Sequence, residues 1–281
     1  MLNFLNFINK KIIVSDNGST DNSLEWLRKN HPEIIILDNQ KNLGWAEGNN
    51  VGIKYALNNN ADYILLANND LSFIDTTIIS KLVITLEKNE KIGITGPKEC
   101  SFYNPGKAVN EGWIMYPGSK FTFNIKRKNI SIEKPFKIVD NVSGSFMLIK
   151  KEVFKSIGLM DEKLFLYAED ADFSLRAWKK GWISAIDPEL SILHKVSSTS
   201  GHNSPLKIYY QTRNLIYLIR KHPEIQENHS YFIMKYYWDF LKSIVKIFFY
   251  KEFSGDRLLK AISSIRGMLH GAILNKMGNR F

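Results

Sequence analysis

Short apolar runs alternate with longer amphipathic ones through the first hundred residues. Lys11–Ser15 (KIIVS), Ile34–Leu37, Tyr63–Ala67 (YILLA) and Ile92–Thr95 are brief, β-branched or leucine-rich, and followed by polar turns. That is the pattern of buried strands. Between them Asp21–Asn30, Trp45–Asn58 and Thr76–Asn89 are long enough for helices, and Ser19, Thr20 and Asp21 offer N-cap oxygens to the first. Strand, helix, strand at this spacing predicts parallel pairing through right-handed crossovers. Open sheets of that kind take ligands beyond the carboxyl ends of their strands. Two polar, acid-bearing segments occupy such ends: Asp16-Asn17-Gly18-Ser19-Thr20-Asp21 after the first run, and Asn68-Asn69-Asp70 after the third.

The pattern loosens from Ser101 to Lys137, where glycines, prolines and aromatics around Trp113 predict a long excursion across one face. Order returns at Ile138–Lys150, a strand entered through the small residues Ser143-Gly144-Ser145. A short helix over Lys151–Ile157 stops at Gly158. A second runs from about Ala168 to Lys180, with Glu169, Asp170 and Asp172 in its first turn, Arg176, Lys179 and Lys180 near its end, and Gly181 as the C′ residue. Trp182–Ile186 and Ile192–His194 read as two further strands. In Tyr231–Tyr250 the charged residues Lys235, Asp239, Lys242 and Lys246 share one helical face and apolar residues fill the rest. Phe253–Phe281 adds another basic helical stretch.

The chain has 281 residues, 44% hydrophobic and 23% charged, which suits one large domain, or one domain with an appendage, around a real core. Cys100 is the only cysteine, which excludes an intrachain disulfide and a thiolate zinc site. Met1–Lys11 has no signal-peptide pattern and no run approaches the ~18 apolar residues of a membrane span, so a cytoplasmic chain is expected. The net charge is +10, and +8 of it falls from Gly201 onward, where thirteen Lys/Arg face five Asp/Glu. Basic charge attracts phosphate, nucleic acid or anionic lipid. The chain carries no nucleic-acid-binding motif, so a nucleic-acid partner is not expected. The helix in Tyr231–Tyr250 suits an anionic membrane surface, and equally packing on its own domain or a second subunit.

Acids and an imidazole at strand ends and helix starts can hold a divalent cation or take a proton. Asp16, Asp70, Glu169-Asp170 and His194 are candidates by position, each at a strand end or a helix start. The strings VSDNGSTDNSLEWL, NLGWAEGNNVGI, YILLANND, VSGSFMLIKKEVFKSIGLMDEKLFLYAEDADFSLRAWKKGW and LHKVSSTSG occur in that order. Together they resemble the family-2 glycosyltransferases, and within them the bacterial rhamnosyltransferase-type members of surface polysaccharide synthesis. The resemblance runs from about Lys11 to Ser200 and continues more weakly through YYQTRNLIYLIRKH.

The resemblance implies an α/β GT-A fold, Rossmann-like, with a mostly parallel sheet flanked by helices. That domain would cover residues 1–200, with a basic, amphipathic helical extension over 201–281. It implies an inverting single displacement from a UDP- or dTDP-sugar to a glycan or lipid-linked acceptor, with Mn²⁺ or Mg²⁺. Asp170 would be the catalytic base, with Glu169 shaping the site, and Asp70 and His194 the metal ligands. Asp16, Asn17, Gly44, Gly48, Asn49, Asn68, Asn69, Gly144 and Ser145 would line the donor site. A place on the inner face of the plasma membrane follows from the acceptor class.

Plain structural explanations stand beside these roles. Asp16–Asp21 makes a turn and helix cap without any ligand, and Glu169-Asp170 suits a helix N-terminus on electrostatic grounds alone. Asn68-Asn69-Asp70 reads equally as a polar turn, Gly44 and Gly48 as turn and packing glycines, and His194 as a structural histidine. Two departures from the family pattern matter. Asn68 stands where a first acid is usual, and where the family has a strand and a helix before the DNGSTD strand only Met1–Lys11 precedes it, resembling the tail of that helix. A catalytically inactive, truncated relative that binds a membrane or a partner is the alternative.

Overall fold

A computed structural model describes residues 9–112, 136–195, 204–223, 229–249 and 256–273. Trp113 and the middle of the Ser101–Lys137 section, the HKVSSTSG segment beyond Lys195, and the ends of the Phe253–Phe281 stretch lie outside them. The described residues form two compact units, one within Met1–Ile114 and Ile130–Val196, the other within Ser197–Phe281.

In the first unit the predicted alternation is present. It comprises β1 (Ile13–Asp16), α1 (Ser23–Asn30), β2 (Ile35–Asp38), α2 (Gly44–Asn58), β3 (Tyr63–Ala67), β4 (Leu71–Phe73), α3 (Ile78–Lys88) and β5 (Ile92–Ser101). There follow β6 (Asn104–Asn110), β7 (Lys137–Val139), β8 (Phe146–Lys150), α4 (Lys151–Ile157), α5 (Glu169–Lys179) and β9 (Ile183–His194). β1 and β2 form a two-stranded parallel sheet. The larger sheet runs β3-β8-β5-β9-β4, with β6 beside β5 and β7 beside β9.

The architecture is the expected α/β GT-A fold, but the sheet is not mostly parallel. Only β1–β2 and β5–β9 pair in parallel, while β3–β8, β5–β8, β4–β9, β5–β6 and β7–β9 are antiparallel. The reason lies in β8. It is antiparallel to both neighbours, so β3 and β5, joined through α3, keep a common direction as the sequence predicts yet never touch. The two strands expected within 182–194 are one. β9 continues through Pro188, with a register shift that sets Pro97 opposite Asp187 and Lys98 opposite Ser191. Such a bulge absorbs a proline without ending a ladder.

Side-chain alternation along β8 builds both faces of the core. Met147 and Ile149 join Ala46 and Ile53 of α2, Ile64 and Leu66 of β3, and Val153, Phe154, Phe173 and Ala177 of α4 and α5. Phe146 and Leu148 face Ile78, Leu82 and Leu86 of α3 on the other side. At about 25 cal/mol per Å² of apolar surface, these two layers supply most of the unit's stability. α2 also supports β1, because Ser15 Oγ donates to the Gly48 carbonyl at 2.6 Å. Among the described residues the outer edge of β1 and that of β3 carry no further strand.

The second unit holds α6 (Pro205–Lys221), α7 (His229–Phe249) and α8 (Arg257–Ile273). Ser204 caps α6 by accepting from Lys207 N at 3.2 Å, with Pro205 at the first helical position. α6 and α8 approach closely because Gly267 and Gly271 face the α6 backbone, where a Cβ on Gly267 would lie 2.6 Å from the Tyr209 carbonyl. No described helix is long and apolar enough to cross a membrane.

Candidate functional site

Loops at strand ends meet around the entry to β8. Asp70 follows β3, and its Oδ1 lies 3.2 Å from His194 Nε2 at the end of β9. That contact follows from the sheet, since β4 pairs with β9 and sets Leu71 opposite His194. The other ring nitrogen, Nδ1, is 3.0 Å from Glu99 Oε2 on β5, and Glu99 Oε1 accepts from Ser145 Oγ at 2.6 Å. The Ser145 carbonyl accepts from Asn68 N at 2.8 Å. Next to it, Gly144 N donates to Asp170 Oδ2 at 3.0 Å. One hydrogen-bonded path therefore runs from Asp170 through Gly144-Ser145 to Glu99 and His194, and the His194 ring ends it 3.2 Å from Asp70 Oδ1.

Asp170 sits in the first turn of α5 and keeps part of its surface open. Its Oδ1 accepts from Ala171 N at 2.7 Å. Burial raises its pKa, and the N–H groups of Gly144 and Ala171 with the Asn141 side chain only partly offset this. Glu169 is fully enclosed. Burial, then the neighbouring Asp170 charge, push its pKa up to about 8, and its Oε2 has no hydrogen-bond partner among the described residues. Burial works against a charged His194, but the hydrogen bond and charge of Glu99, with the charge of Asp70, leave its pKa above the usual imidazole value.

The segment entering α5 is held in an unusual shape. Phe165, Tyr167 and Ala168 have φ of 58°, 70° and 70°, a left-handed conformation that costs about 1 kcal/mol or more at each non-glycine residue. The N-terminus of α2 fixes it, with Trp45 N and Ala46 N donating to the Phe165 carbonyl at 2.5 and 3.3 Å. Gly44 makes that approach possible. Its φ is +78°, and a Cβ there would lie 2.5 Å from the Phe165 carbonyl oxygen. Trp45 Nε1 then donates to Asn68 Oδ1 at 3.2 Å.

Other expected donor residues have local partners. Asp16 accepts from Gly18 N, Ser19 N and Ser19 Oγ at 3.0, 2.9 and 2.5 Å, an Asx-type turn. Asn17 Nδ2 donates to the Gly44 carbonyl at 2.8 Å, and Gly48 leaves room for the Asn17 side chain. Asn49 Nδ2 bonds the Trp45 carbonyl at 2.8 Å, within its own helix. Asn69 is exposed. Thus Asp16 and Asn17 adjoin the start of α2, and through Trp45 that helix reaches Asn68 and Gly144.

Sequence reading passed over Glu99, Asn50 and the Asp172–Arg176 pair. A charge inside the buried β5 run was the available signal for Glu99. Asn50 is 1% exposed and ties α2 to Met160, accepting from its N–H and donating to its carbonyl at 3.0 Å each. Asp172 is balanced by Arg176 at 2.7 Å, whose guanidinium also binds the Ile157 and Leu159 carbonyls.

Asp70 and His194 offer one hard oxygen and one imidazole, a donor set that fits Mn²⁺. Among the described residues no group of three or more side chains forms a complete metal site, so the remaining positions would fall to diphosphate and water.

The family model for glycosyl transferase family 2 matches residues 2–158, and the chain belongs to that family. It is 32% identical over 192 residues to the dTDP-rhamnosyl transferase RfbF of Shigella flexneri, covering 64% of this chain and 61% of that protein. It is 25% identical over 214 residues to an N-acetylglucosaminyl-diphospho-decaprenol L-rhamnosyltransferase of Mycobacterium tuberculosis, covering 68% of each. The chain thus spans about three fifths to two thirds of the length of these relatives. A solved mannosyltransferase from Pyrobaculum calidifontis, PcManGT in complex with GDP-Man and Mn²⁺, shares the fold with a TM-score of 0.55 at 12% identity, covering 93% of this chain and 77% of that one.

Glu169 gives a pH test. Its folded-state pKa lies above the ordinary glutamate value, at about 8, so between those limits the folded chain holds a proton that the unfolded chain has lost. Stability falls as pH rises through that window. Glu169→Gln should match the wild type in thermal melts near pH 5 and exceed it by on the order of a few kcal/mol near pH 8. An equal offset at both pH values would contradict the buried, protonated carboxyl.

Proposed function

We propose that the chain is an inverting, metal-dependent glycosyltransferase. It moves rhamnose or a similar hexose from a UDP- or dTDP-sugar to a glycan or lipid-linked acceptor in cell-surface polysaccharide assembly. The observation that carries this reading is the path from Asp170 through Gly144-Ser145 to the Asp70–His194 pair, which puts a proton acceptor and a cation-binding pair on one frame. Family membership, the dTDP-rhamnosyl donor in the name of one relative and the lipid-linked acceptor in that of another support the proposed donor and acceptor classes.

In this reading the partly open Asp170 carboxylate takes the proton of the acceptor hydroxyl as that oxygen attacks the anomeric carbon. The bond from that carbon to the diphosphate oxygen breaks with inversion. Gly144 N and Ala171 N hold the carboxylate in place, and burial raises its basicity. A divalent cation held by Asp70 and His194 would neutralise the departing diphosphate. Asn68, the amide at the first motif position, is used by Trp45 to join the α2 N-terminus to the site. Asp16, Asn17, Gly44, Gly48, Asn49 and Asn69 would flank the nucleotide on the β1–α2 side.

Differential scanning calorimetry with UDP and with dTDP, each with and without Mn²⁺, tests the donor site. A nucleotide at about a hundred times its Kd should stabilise the chain by ~2.7 kcal/mol. The effect should require Mn²⁺ and vanish in Asp70→Ala. Asp170→Asn should keep the shift while transfer falls by about 10² to 10⁴. A folded wild type that responds to neither nucleotide would favour the inactive-relative reading.

The partner reading extends to an anionic membrane on the cytoplasmic side. Met234, Tyr237, Trp238, Leu241, Val245, Phe248 and Phe249 of α7 are exposed, Trp238 by 61% and Phe249 by 78%. Lys242 lies over the Trp238 ring at 5.5 Å. An apolar stripe beside lysines suits a helix lying in a lipid interface. The chain should co-sediment with phosphatidylserine-containing vesicles and lose most of that binding in a Trp238→Ala, Leu241→Asp double variant. Equal sedimentation with neutral vesicles, or none with either, would sink this extension.

A further inference from the structure

We infer that Glu99 is a positioning residue: it holds the His194 ring so that Nε2 faces Asp70, and it ties that ring to the β8 entry through Ser145. Glu99 is 5% exposed, on a strand whose neighbours Ile94, Thr95 and Cys100 are also buried. Its cross-strand partners are Ile192 on β9 and Asn110 on β6. A carboxylate taken from water into such a place costs several kcal/mol unless its oxygens are matched by donors. An apolar side chain would fill the position without that cost.

Both oxygens are matched, by different elements. Oε1 accepts from Ser145 Oγ at 2.6 Å and Oε2 lies 3.0 Å from His194 Nδ1. For Oε2 to accept in that contact, Nδ1 carries the hydrogen. The opposite nitrogen, Nε2, lies 3.2 Å from Asp70 Oδ1. A carboxylate behind an imidazole is the arrangement that fixes ring orientation and raises the basicity of a ligand nitrogen. Glu99 also contacts the β8 entry that bears Gly144, so the ring's placement and the Asp170 contact share one support.

The consequence for metal affinity rests on the proposed cation site, whereas the ring orientation does not. Glu99→Met fills the volume but removes the acceptor. Glu99→Gln keeps an amide oxygen that can accept from Nδ1–H. In ¹⁵N-histidine-labelled protein, with the resonance assigned through His194→Gln, the wild type should show a hydrogen-bonded, downfield Nδ1–H proton. That signal should survive in Glu99→Gln and disappear in Glu99→Met. Mn²⁺ affinity in the presence of UDP or dTDP, read by electron paramagnetic resonance, should fall about 10- to 100-fold in Glu99→Met and less in Glu99→Gln. Either of two results would overturn the inference: an unchanged His194 signal in a folded Glu99→Met, or the same loss of signal in both variants. A wild type that binds no Mn²⁺ would remove the metal reading alone, and the proton signals of the three proteins would still decide the ring.

Discussion

The candidate site depends on three hydrogen bonds at the start of β8. Gly144 N holds Asp170, the Ser145 carbonyl holds Asn68 N, and Ser145 Oγ holds Glu99. Each reaches a different element, so two residues set the spacing between the proton acceptor on α5 and the Asp70–His194 pair on the β3 and β9 ends. β8 can do this because it lies inside the sheet, antiparallel to both β3 and β5. A strand running the other way would carry its entry to the opposite edge. Gly144 also must be small, since a Cβ there would meet the Trp45 ring at 2.7 Å. One constraint therefore governs packing against α2 and the geometry of the acids.

Around that frame the protein keeps more negative charge than packing alone requires. Asp172 is neutralised by Arg176, a structural pair fixed by two backbone carbonyls. Glu169 has no such cation and answers by holding its proton, with a pKa of about 8. Asp170 and Glu99 rely on donors from the backbone, from Ser145 and from His194. The left-handed residues Phe165, Tyr167 and Ala168 add strain just before the acids. That strain persists because α2 donates two backbone N–H groups to Phe165. Charge and strain together, concentrated in one place, are the usual mark of a functional site and not of a core.

Much of this was legible from the sequence because it is written locally. β-branched runs with polar ends gave the strands, and Asp70, Asp170 and His194 stood out as acids or imidazole where a strand stops or a helix starts. Asp16 stood out for the same reason, yet the structure finds its carboxylate engaged in its own turn. What was missed is non-local. The direction of β8 shows only in its pairing with β3 and β5, strands distant from it in sequence. β9 read as two strands because Pro188 breaks the pattern, while a bulge lets the ladder continue. Glu99 lies between an apolar run and an irregular one, and only the fold reveals that its carboxylate meets His194 and Ser145. Gly44 looked like a motif glycine, whereas its φ of +78° and the nearness of Phe165 show why no side chain fits.

The central claim is that the Asp70–His194 pair and Asp170 belong to one site joined through Gly144-Ser145. Anomalous diffraction at the manganese edge, from crystals grown with Mn²⁺ and the nucleotide that stabilises the chain, tests it most directly. A manganese peak should adjoin Asp70 and His194, with nucleotide phosphate beside it and Asp170 still bonded to Gly144 N. Nucleotide bound elsewhere with no metal at that pair, or an Asp170 turned away from Gly144, would contradict it.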